Sequence, residues 1–549
     1  MSPVKISDSL VYTAIALAAG LLFIPFLGGV HLFDWDEINF AESAREMIVS
    51  GDYLTVQVNY IPFWEKPPLF IWMQVLSMKL FGINEFAARF PNAVCGIITL
   101  LLLYSIGRKI YDRTFGLIWV MAYAGSLLPF LYFKSGIIDP WFNLFIVLGV
   151  YSIYLYFTLD TGRKLNISLS ALFIGLAILT KGPVALLVFL LCLVTYILLK
   201  KFKVKTRFAD VVLFSFILII TGGFWFLLQI INGNFSVIAG FIQYQINLFS
   251  TRGAGHGGFP LYHVIVLLIG VFPASMLALP GLFRKSRGNE LQTGLTVFMK
   301  ILFWVVLILF SIVKTKIVHY SSLCYFPLTY LAAVFIYQVY AGQYKLNKSL
   351  IWIISGSGLL VAVIVMVLPF FDRVKSVLLE RIVIDDPFAL ACINADAGWK
   401  GFEGLPAVLL LAGIILLLAW SYKAEYLKGL SALFISFCLF AYGCVLFITP
   451  RIEKYSQFAA VEFFLSKSHE DAYMETLGYK SYAHLFYGRI KPSSNPQAKS
   501  REWLMNGDID KNVYLSMKID KKEKYLKQFP ELKVLYEKNG FVFCVREIR

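Results

Sequence analysis

Apolar runs of roughly 17–25 residues recur along the chain, each long enough to cross a bilayer as a helix. About thirteen such runs start near residues 10, 88, 114, 138, 166, 183, 210, 260, 294, 320, 349, 404 and 427. The first, Ser9 to Val30, lacks a small-residue cleavage site and reads as a span rather than a signal peptide. The loop between the first two runs, residues 31–86, carries two shorter amphipathic stretches, INFAESAREMIVSG and PPLFIWMQVLSMKLFG. Neither is long enough to span, so each is expected to lie half-buried in the interface; FSVIAGFIQYQINLFS, before the eighth run, is a third. After Pro450 the pattern changes. EFFLSKSH, DAYMETLGY, SYAHLFYG, NVYLSMKI, KKEKYLKQF and KVLYEKNGFVFCVRE alternate amphipathic and β-rich pieces. They predict a small α/β domain over 451–549 behind a transmembrane domain over 1–450.

Composition agrees with this division. The chain is 58% hydrophobic and 15% charged, with a mean hydropathy of +0.71, well beyond a soluble domain. The net charge of +16 would ordinarily raise nucleic acid as a partner. Here the basic residues sit mostly in turns between apolar runs, where they set topology and meet anionic lipid, so no nucleic-acid partner is expected. With thirteen spans, Lys5, RKIYDR, GRK, KKFKVKTR, RKSR, Lys345 with Lys348, and Lys423 with Lys428 all fall on one side, predicted cytoplasmic. The C-terminal domain is then predicted outside. The seven cysteines have no metal-ligand spacing, and most lie within apolar runs. Cys392 and Cys544 stand in polar segments, as a pair a disulfide would use.

The same topology gathers a set of polar residues at the outer surface: Asp34, Asp36, Glu37, Glu65, Lys66, Asp139, Lys181, Arg252, His256, Lys314, Lys316, His319 and Tyr320. Cations there run against the positive-inside tendency, and an anionic substrate head group is the simplest reason for them. In DWDEINFAESAREM, Asp34 and Glu37 have capping-box-like spacing, with Asp36 between them. In WEKPP, Pro67 holds Lys66 extended and Pro68 suits the first turn of a helix, so the corner either aims Glu65 and Lys66 or is an ordinary loop with a local ion pair. Lys181 in LTKGP either serves a ligand or snorkels from its helix end. Asp139-Pro140 reads equally as a helix start. RGAGHGG is glycine-rich without a phosphate-loop pattern, and His256 in it reads also as a surface histidine. KTKIVHY concentrates Lys314, Lys316, His319 and Tyr320 in one short outer turn.

Carboxylates, cations and a histidine at the mouth of a lipid-embedded bundle suit displacement at a carbon whose leaving group is a phosphate. Cations stabilise charge on the departing phosphate, and a carboxylate takes a proton from an attacking hydroxyl. No nucleotide-binding fingerprint is present, so a lipid-phosphate-linked donor entering sideways from the bilayer fits better.

The run WDEINFAESAREMIVSGDY…WEKPPLFIWMQVLSMKLFG resembles the first outer loop of glycosyltransferase family 39, which includes protein O-mannosyltransferases and the bacterial aminoarabinose transferase of lipid A. LTKGP, the KTKIVHY turn and the outer C-terminal domain resemble the aminoarabinose branch more. The resemblance implies a polytopic α-helical membrane protein of GT-C type in the bacterial inner membrane, with its active site and C-terminal domain periplasmic. It implies an inverting transfer of sugar from undecaprenyl (polyprenyl) phosphate to lipid A, with a protein hydroxyl as the alternative acceptor. By position it implies Asp36, with Glu37 and Asp139, as catalytic acids. Lys66, Lys181, Arg252, Lys314, Lys316, His319 and Tyr320 fall to the donor phosphate, and Glu65 with His256 to a divalent metal. A transporter of a lipid-linked sugar would show internal repeats and midplane polar sites, whereas the polar residues here cluster at the outer boundary.

Overall fold

The computed structural model of this chain describes residues 7–250, 259–285, 287–381 and 383–548. The N-terminal part runs α1 (Asp8–Phe23), α2 (Asp36–Ser50), α3 (Leu69–Phe81), α4 (Glu85–Ile110), α5 (Arg113–Ala124), α6 (Leu127–Tyr132), α7 (Asp139–Thr158), α8 (Arg163–Lys181), α9 (Val184–Leu199) and α10 (Phe208–Ile231). Then follow α11 (Phe235–Ser250), α12 (Tyr262–Gly270), α13 (Ala274–Phe283), α14 (Glu290–Ile312), α15 (Tyr325–Tyr340), α16 (Lys348–Val367), α17 (Phe371–Leu379), α18 (Pro387–Ile393), α19 (Pro406–Tyr422) and α20 (Tyr426–Phe447).

Polar residues between the apolar runs set where helices begin. The side chains of Asn84, Asp112, Asn289 and Asn347 each accept a backbone N–H at the start of α4, α5, α14 and α16, and Asn289 forms a full capping box with Gln292. A helix occupies each apolar run, but thirteen uninterrupted spans do not result. Among the described residues nine helices are long and apolar enough to cross a membrane. Two runs are broken, one between α5 and α6 and one between α12 and α13, and the breaks meet: Leu127 N–H donates to Phe272 O at 3.3 Å. Each break thereby supplies a partner for backbone that lipid would leave unpaired.

The helices sort by what they face. α7 and α15 are buried on nearly every side, whereas Phe208, Phe216 and Ile219 of α10, with Ile353, Leu360 and Ile415, are exposed. Such a belt of bare apolar side chains has no place in water; the chain is a membrane protein. α8 lies close along α10 at Gly175, where an added Cβ would fall 1.9 Å from Thr221 Oγ1. Gly182, at φ +90°, ends α8 and turns the chain into α9.

The first loop departs from the interfacial picture. α2 is buried from Glu37 to Met47 rather than half-buried, because it lies beneath the C-terminal unit as well as beside α3. Its buried charged residues find protein partners instead of water. The Glu42 carboxylate takes both arms of Arg45 at 2.6 Å, Arg45 also donates to Ile490 O, and Glu46 accepts the N–H groups of Asn59 and Tyr60. Burial and the neighbouring Glu42 hold the Glu46 carboxyl well above the ordinary carboxylate range. Nor does DWDE form a capping box. Asp34 accepts Tyr482 N–H at 3.2 Å, and Glu37 reaches back to Phe33 N–H at 2.8 Å, so the helix entry is tied to tertiary partners.

Beyond α20, α21 (Thr449–Lys454) and α22 (Phe458–Lys467) lead into an α/β unit. The first loop supplies a separate short hairpin, β1 (Gln57–Val58) with β2 (Ile61–Pro62). The unit itself has β3 (Tyr473–Leu477), β4 (Val513–Lys518), β5 (Lys533–Lys538) and β6 (Phe541–Arg546) in the order β3-β4-β6-β5, with β3 parallel to β4 and the other pairs antiparallel. α23 (Ala483–Phe486), α24 (Arg501–Asn506) and α25 (Lys522–Gln528) complete it. Phe463 of α22 stacks on Phe543 at 4.4 Å, which carries the core of the unit into the core of the first loop. Cys392 and Cys544 are both free; the Cys392 thiol donates to Asn539 O and Cys544 is buried within β6.

His31 fastens this junction, with Nδ1 2.8 Å from Glu453 and Nε2 3.8 Å from Glu462. Burial works against its charge, but the Glu453 hydrogen bond and the carboxylates of Glu453, Glu85 and Glu462 outweigh it and raise the pKa. A raised folded-state pKa means that protonation stabilises the fold. The gain is complete below the unfolded value, about 6.5, and is lost as pH rises through the higher folded value. The wild-type Tm should therefore fall between pH 6 and pH 8.5 by a margin that His31→Gln abolishes; equal Tm profiles would show that the contact is inert.

Candidate active site

Two helix ends create the centre of the site. Asp139 opens α7 and Lys181 closes α8, so each charge lies at the end of the helix dipole that favours it. Their side chains meet with Nζ 2.6 Å from Oδ1, Asp139 being buried and Lys181 largely so. Ser322 Oγ donates to the same Asp139 oxygen at 3.4 Å and itself accepts Asn143 Nδ2 at 2.8 Å. Asn143 lies one turn after Asp139 on α7, so the helix holds both the acid and the support of its second donor. Lys181 also lies 5.5 Å from the Phe142 ring and 5.8 Å from the Tyr320 ring, in cation–π range.

The 3₁₀ segment Val318–Cys324 carries the next shell of the site. His319 Nε2 stands 3.4 Å from Asp36 Oδ2. Asp36 is the first residue of α2, and its side chain is 38% exposed, so its carboxylate is open to a ligand while Asp139 is not. Lys66 lies within electrostatic reach of both Asp139 and His319, and Asp36 within reach of Tyr320. On the far side α11 covers the WEKPP corner. Gln245 Nε2 donates to Glu65 O at 3.4 Å, and burial followed by the Glu65 carboxylate pushes the Tyr244 hydroxyl above its ordinary range.

Asp36, Glu65, Lys66, Asp139, Lys181, His319 and Tyr320 thus converge although they come from five stretches of sequence. Other candidates lie apart. Glu37 turns away into a buried pair with Arg89, at 2.8 and 3.0 Å, and accepts the N–H groups of Phe33 and Gly136. Burial alone would raise its pKa; the Arg89 guanidinium prevails and holds it below the ordinary value. Its place is structural, because the carboxylate is consumed by partners that anchor α2 to α4. Lys316 donates to Phe310 O, Ser311 O and Val313 O, closing the C-terminus of α14 instead of facing the cluster. Lys314 is exposed on the same turn. Arg252 and His256 lie outside the described residues.

That limits the metal reading. Among the described residues no three His, Cys, Asp or Glu side chains come together to hold an ion. Glu65 has Tyr244 beside it, and the His256 expected to share a metal with it lies outside the described residues. The structure adds Asn143, Ser322, Tyr244 and Tyr482, which the sequence reading missed. Arg89 had a signal, an arginine within an apolar run, where an ionisable residue needs a buried partner.

The comparisons with known proteins meet this geometry. Residues 65–225 match the dolichyl-phosphate-mannose-protein mannosyltransferase family model, a stretch containing Glu65, Lys66, Asp139 and Lys181. The chain is 28% identical over 360 residues to an undecaprenyl phosphate-alpha-4-amino-4-deoxy-L-arabinose arabinosyl transferase of Edwardsiella ictaluri, covering 64% of each chain. It is 27% identical over 327 residues to the Photorhabdus laumondii protein of the same name, covering 58% of each. The aligned sequence therefore spans less than two thirds of these relatives' own length. In fold the similarity extends further: the structure of ArnT from Cupriavidus metallidurans bound to undecaprenyl phosphate superposes with a TM-score of 0.77, at 18% identity, over 98% of both chains. The chain thus shares its fold with that structure along nearly its full length, and the stretch of its sequence that carries Glu65, Lys66, Asp139 and Lys181 is similar to the mannosyltransferase family model.

Proposed function

We propose that this protein is an inverting glycosyltransferase that moves a sugar from undecaprenyl phosphate to a phosphate of lipid A on the periplasmic side of the bacterial inner membrane. One observation carries the reading: an open carboxylate, Asp36, lies 3.4 Å from His319, and His319 with Lys66 is within electrostatic reach of the buried Asp139–Lys181 pair. An acceptor oxygen attacks C1 of the sugar from the face opposite the leaving group. The C1–O bond to the donor phosphate breaks, its electron pair stays on that oxygen, and polyprenyl phosphate departs with one more negative charge. Lys181, held in place by Asp139, and Lys66 stabilise that charge where it forms. A phosphate acceptor is already ionised, so Asp36 and His319 orient it; a hydroxyl acceptor would instead give its proton to Asp36.

The isoprenoid tail has a matching place. A groove of about 650 Å³ between α9 and α14, lined by Leu191, Thr195, Trp304, Ile308 and Ile312 among others, ends two residues before Lys314. Counting each broken run as one span, and the 16-residue α1 and α9 as crossings besides the nine long helices, would make thirteen crossings. That count supports an outer C-terminal unit and an outer site. Protein hydroxyls are the second reading, favoured by the name of the family model across the donor-side motifs.

Purified protein given labelled polyprenyl-phosphate sugar and lipid A should transfer the label and release polyprenyl phosphate. Movement of label across proteoliposomes without release would sink the enzyme reading. Asp36→Asn should insert normally and lose about 10-fold with a phosphate acceptor, where only orientation is lost, against about 100-fold or more with a hydroxyl acceptor, where a base is lost. Unchanged rates with both acceptors would remove Asp36 from the site.

A further inference from the structure

The β1–β2 hairpin of the first loop does not close fully on the α/β unit. Between them lies a cleft of about 310 Å³, lined by Asn59, Ile61, Pro62 and Phe63 on one side and by Glu475, Lys480, Tyr482, His484 and Arg501 on the other. Its position connects it to the site already described. Tyr482 forms one wall, and the same side chain lies within electrostatic reach of Asp36 and Glu65. Residues 61–63 run directly into Trp64, Glu65 and Lys66.

The lining has two characters. Ile61, Pro62, Phe63 and Tyr482 give it apolar and aromatic surface of the kind on which a sugar ring packs. Lys480 and Arg501 give it cationic donors. Lys480 is exposed and stands 4.3 Å over the Trp35 ring; Arg501 donates to Glu475 Oε1 at 3.1 Å and leaves its other N–H groups turned to an exposed edge. A second, independent sign is His484. It is 7% exposed, it lines the cleft, and its buried Nδ1 has no hydrogen-bond partner among the described residues, while Nε2 is 4.0 Å from Glu475. A buried polar atom left single next to an opening is an atom awaiting a ligand or water.

We infer that this cleft holds the phosphorylated sugar head group of the acceptor, with the phosphate on Lys480 and Arg501 and the sugar ring against Phe63 and Tyr482. The inference rests on the reading that the protein transfers sugar from a polyprenyl phosphate, and it names the part of the molecule that selects the acceptor. Planar guanidinium and ammonium donors suit phosphate dianions, which an unmodified peptide does not offer. An acceptor seated here has its acyl chains directed to the bilayer and its head group adjacent to Asp36, past Tyr482. The C-terminal unit then serves recognition, while the bundle supplies the donor site.

The test uses the full-length protein in detergent, lipid A in its phosphorylated and dephosphorylated forms, and a serine/threonine peptide as the third acceptor. Without donor, wild type should bind phosphorylated lipid A with a Kd at least about tenfold below that for the dephosphorylated form, equivalent to about 1.4 kcal/mol. Lys480→Ala and Arg501→Ala should each raise the KM for the phosphorylated form about tenfold and erase the preference, leaving kcat and the KM for donor within twofold. Arg501→Lys guards against loss of the Glu475 contact: it should keep the wild-type Tm and recover part of the preference. Unchanged acceptor KM in Lys480→Ala and Arg501→Ala, or efficient transfer to the peptide with no phosphate preference, would overturn the cleft as the acceptor site. Failure of wild type to release polyprenyl phosphate with any acceptor would instead overturn the underlying transferase reading.

Discussion

Lys181→Ala should reduce kcat/KM for the polyprenyl-phosphate sugar by about 100- to 1,000-fold, the loss seen when one preorganised donor to a developing oxyanion is removed. The variant loses more than a charge, since Asp139 is buried at the start of α7 and Lys181 is its ion-pair partner at 2.6 Å. Without it the carboxylate keeps a 3.4 Å contact from Ser322 as its described hydrogen bond. Breaking one side of a buried pair commonly costs about 3–5 kcal/mol, so Tm should fall with activity. The double variant Asp139→Asn/Lys181→Ala separates the two effects. Removing both charges should restore much of the Tm, because no uncompensated ion is left, while transfer stays lost because the cation at the leaving group is gone. Thermal unfolding with single-turnover label release on all three variants checks this. Wild-type release rates in Lys181→Ala, with only Tm lowered, would make the pair a strut.

Arg89→Ala should be the most destabilising single substitution, by about 3–5 kcal/mol, without touching the reacting groups. All five N–H donors of Arg89 are used: two to Glu37, and three to the carbonyl oxygens of Leu27, Val30 and His31. Those carbonyls belong to the turn between α1 and the first loop, so one side chain ties α4 to that turn and to the start of α2. Arg89→Ala leaves Glu37 charged and buried with only the N–H groups of Phe33 and Gly136 as described partners. Glu37→Gln removes the stranded charge, so the pair Arg89→Ala/Glu37→Gln should recover part of the loss. Glu37→Gln alone should lower Tm with kcat per folded molecule nearly unchanged. A collapse of kcat at unchanged Tm would return Glu37 to the chemistry. Size-exclusion yield and Tm in detergent, read beside transfer, distinguish the outcomes.

The divergence between neighbours Asp36 and Glu37 indicates what a motif carries. In sequence they are an acidic pair with one expected role. On α2, however, successive residues point about 100° apart, so one carboxylate turns to His319 and the other to Arg89. A similar division separates Lys316 from His319 within KTKIVHY: the helix end claims the lysine, and the site keeps the histidine.

Hydrophobic periodicity by itself determined that this chain is a multi-helix membrane protein with a polar α/β tail, and roughly where its long apolar helices lie. Those facts depend on length, apolarity and local caps, which neighbouring residues fix. The residue types between the apolar runs also marked Asp36, Glu65, Lys66, Asp139, Lys181, His319 and Tyr320 in advance, but together with Glu37, Arg252, His256, Lys314 and Lys316 and on the same ground, that a charge at a membrane edge needs a reason. Only the tertiary structure decided which of the marked residues meet. It broke two expected spans so that their free backbone groups could pair. It buried α2 beneath a domain more than 400 residues away, and so turned an expected interfacial helix into a core element. It also spent Glu37 and Lys316 on holding the frame. Burial, ion pairing and carbonyl capping depend on partners distant in sequence, and no local pattern records them.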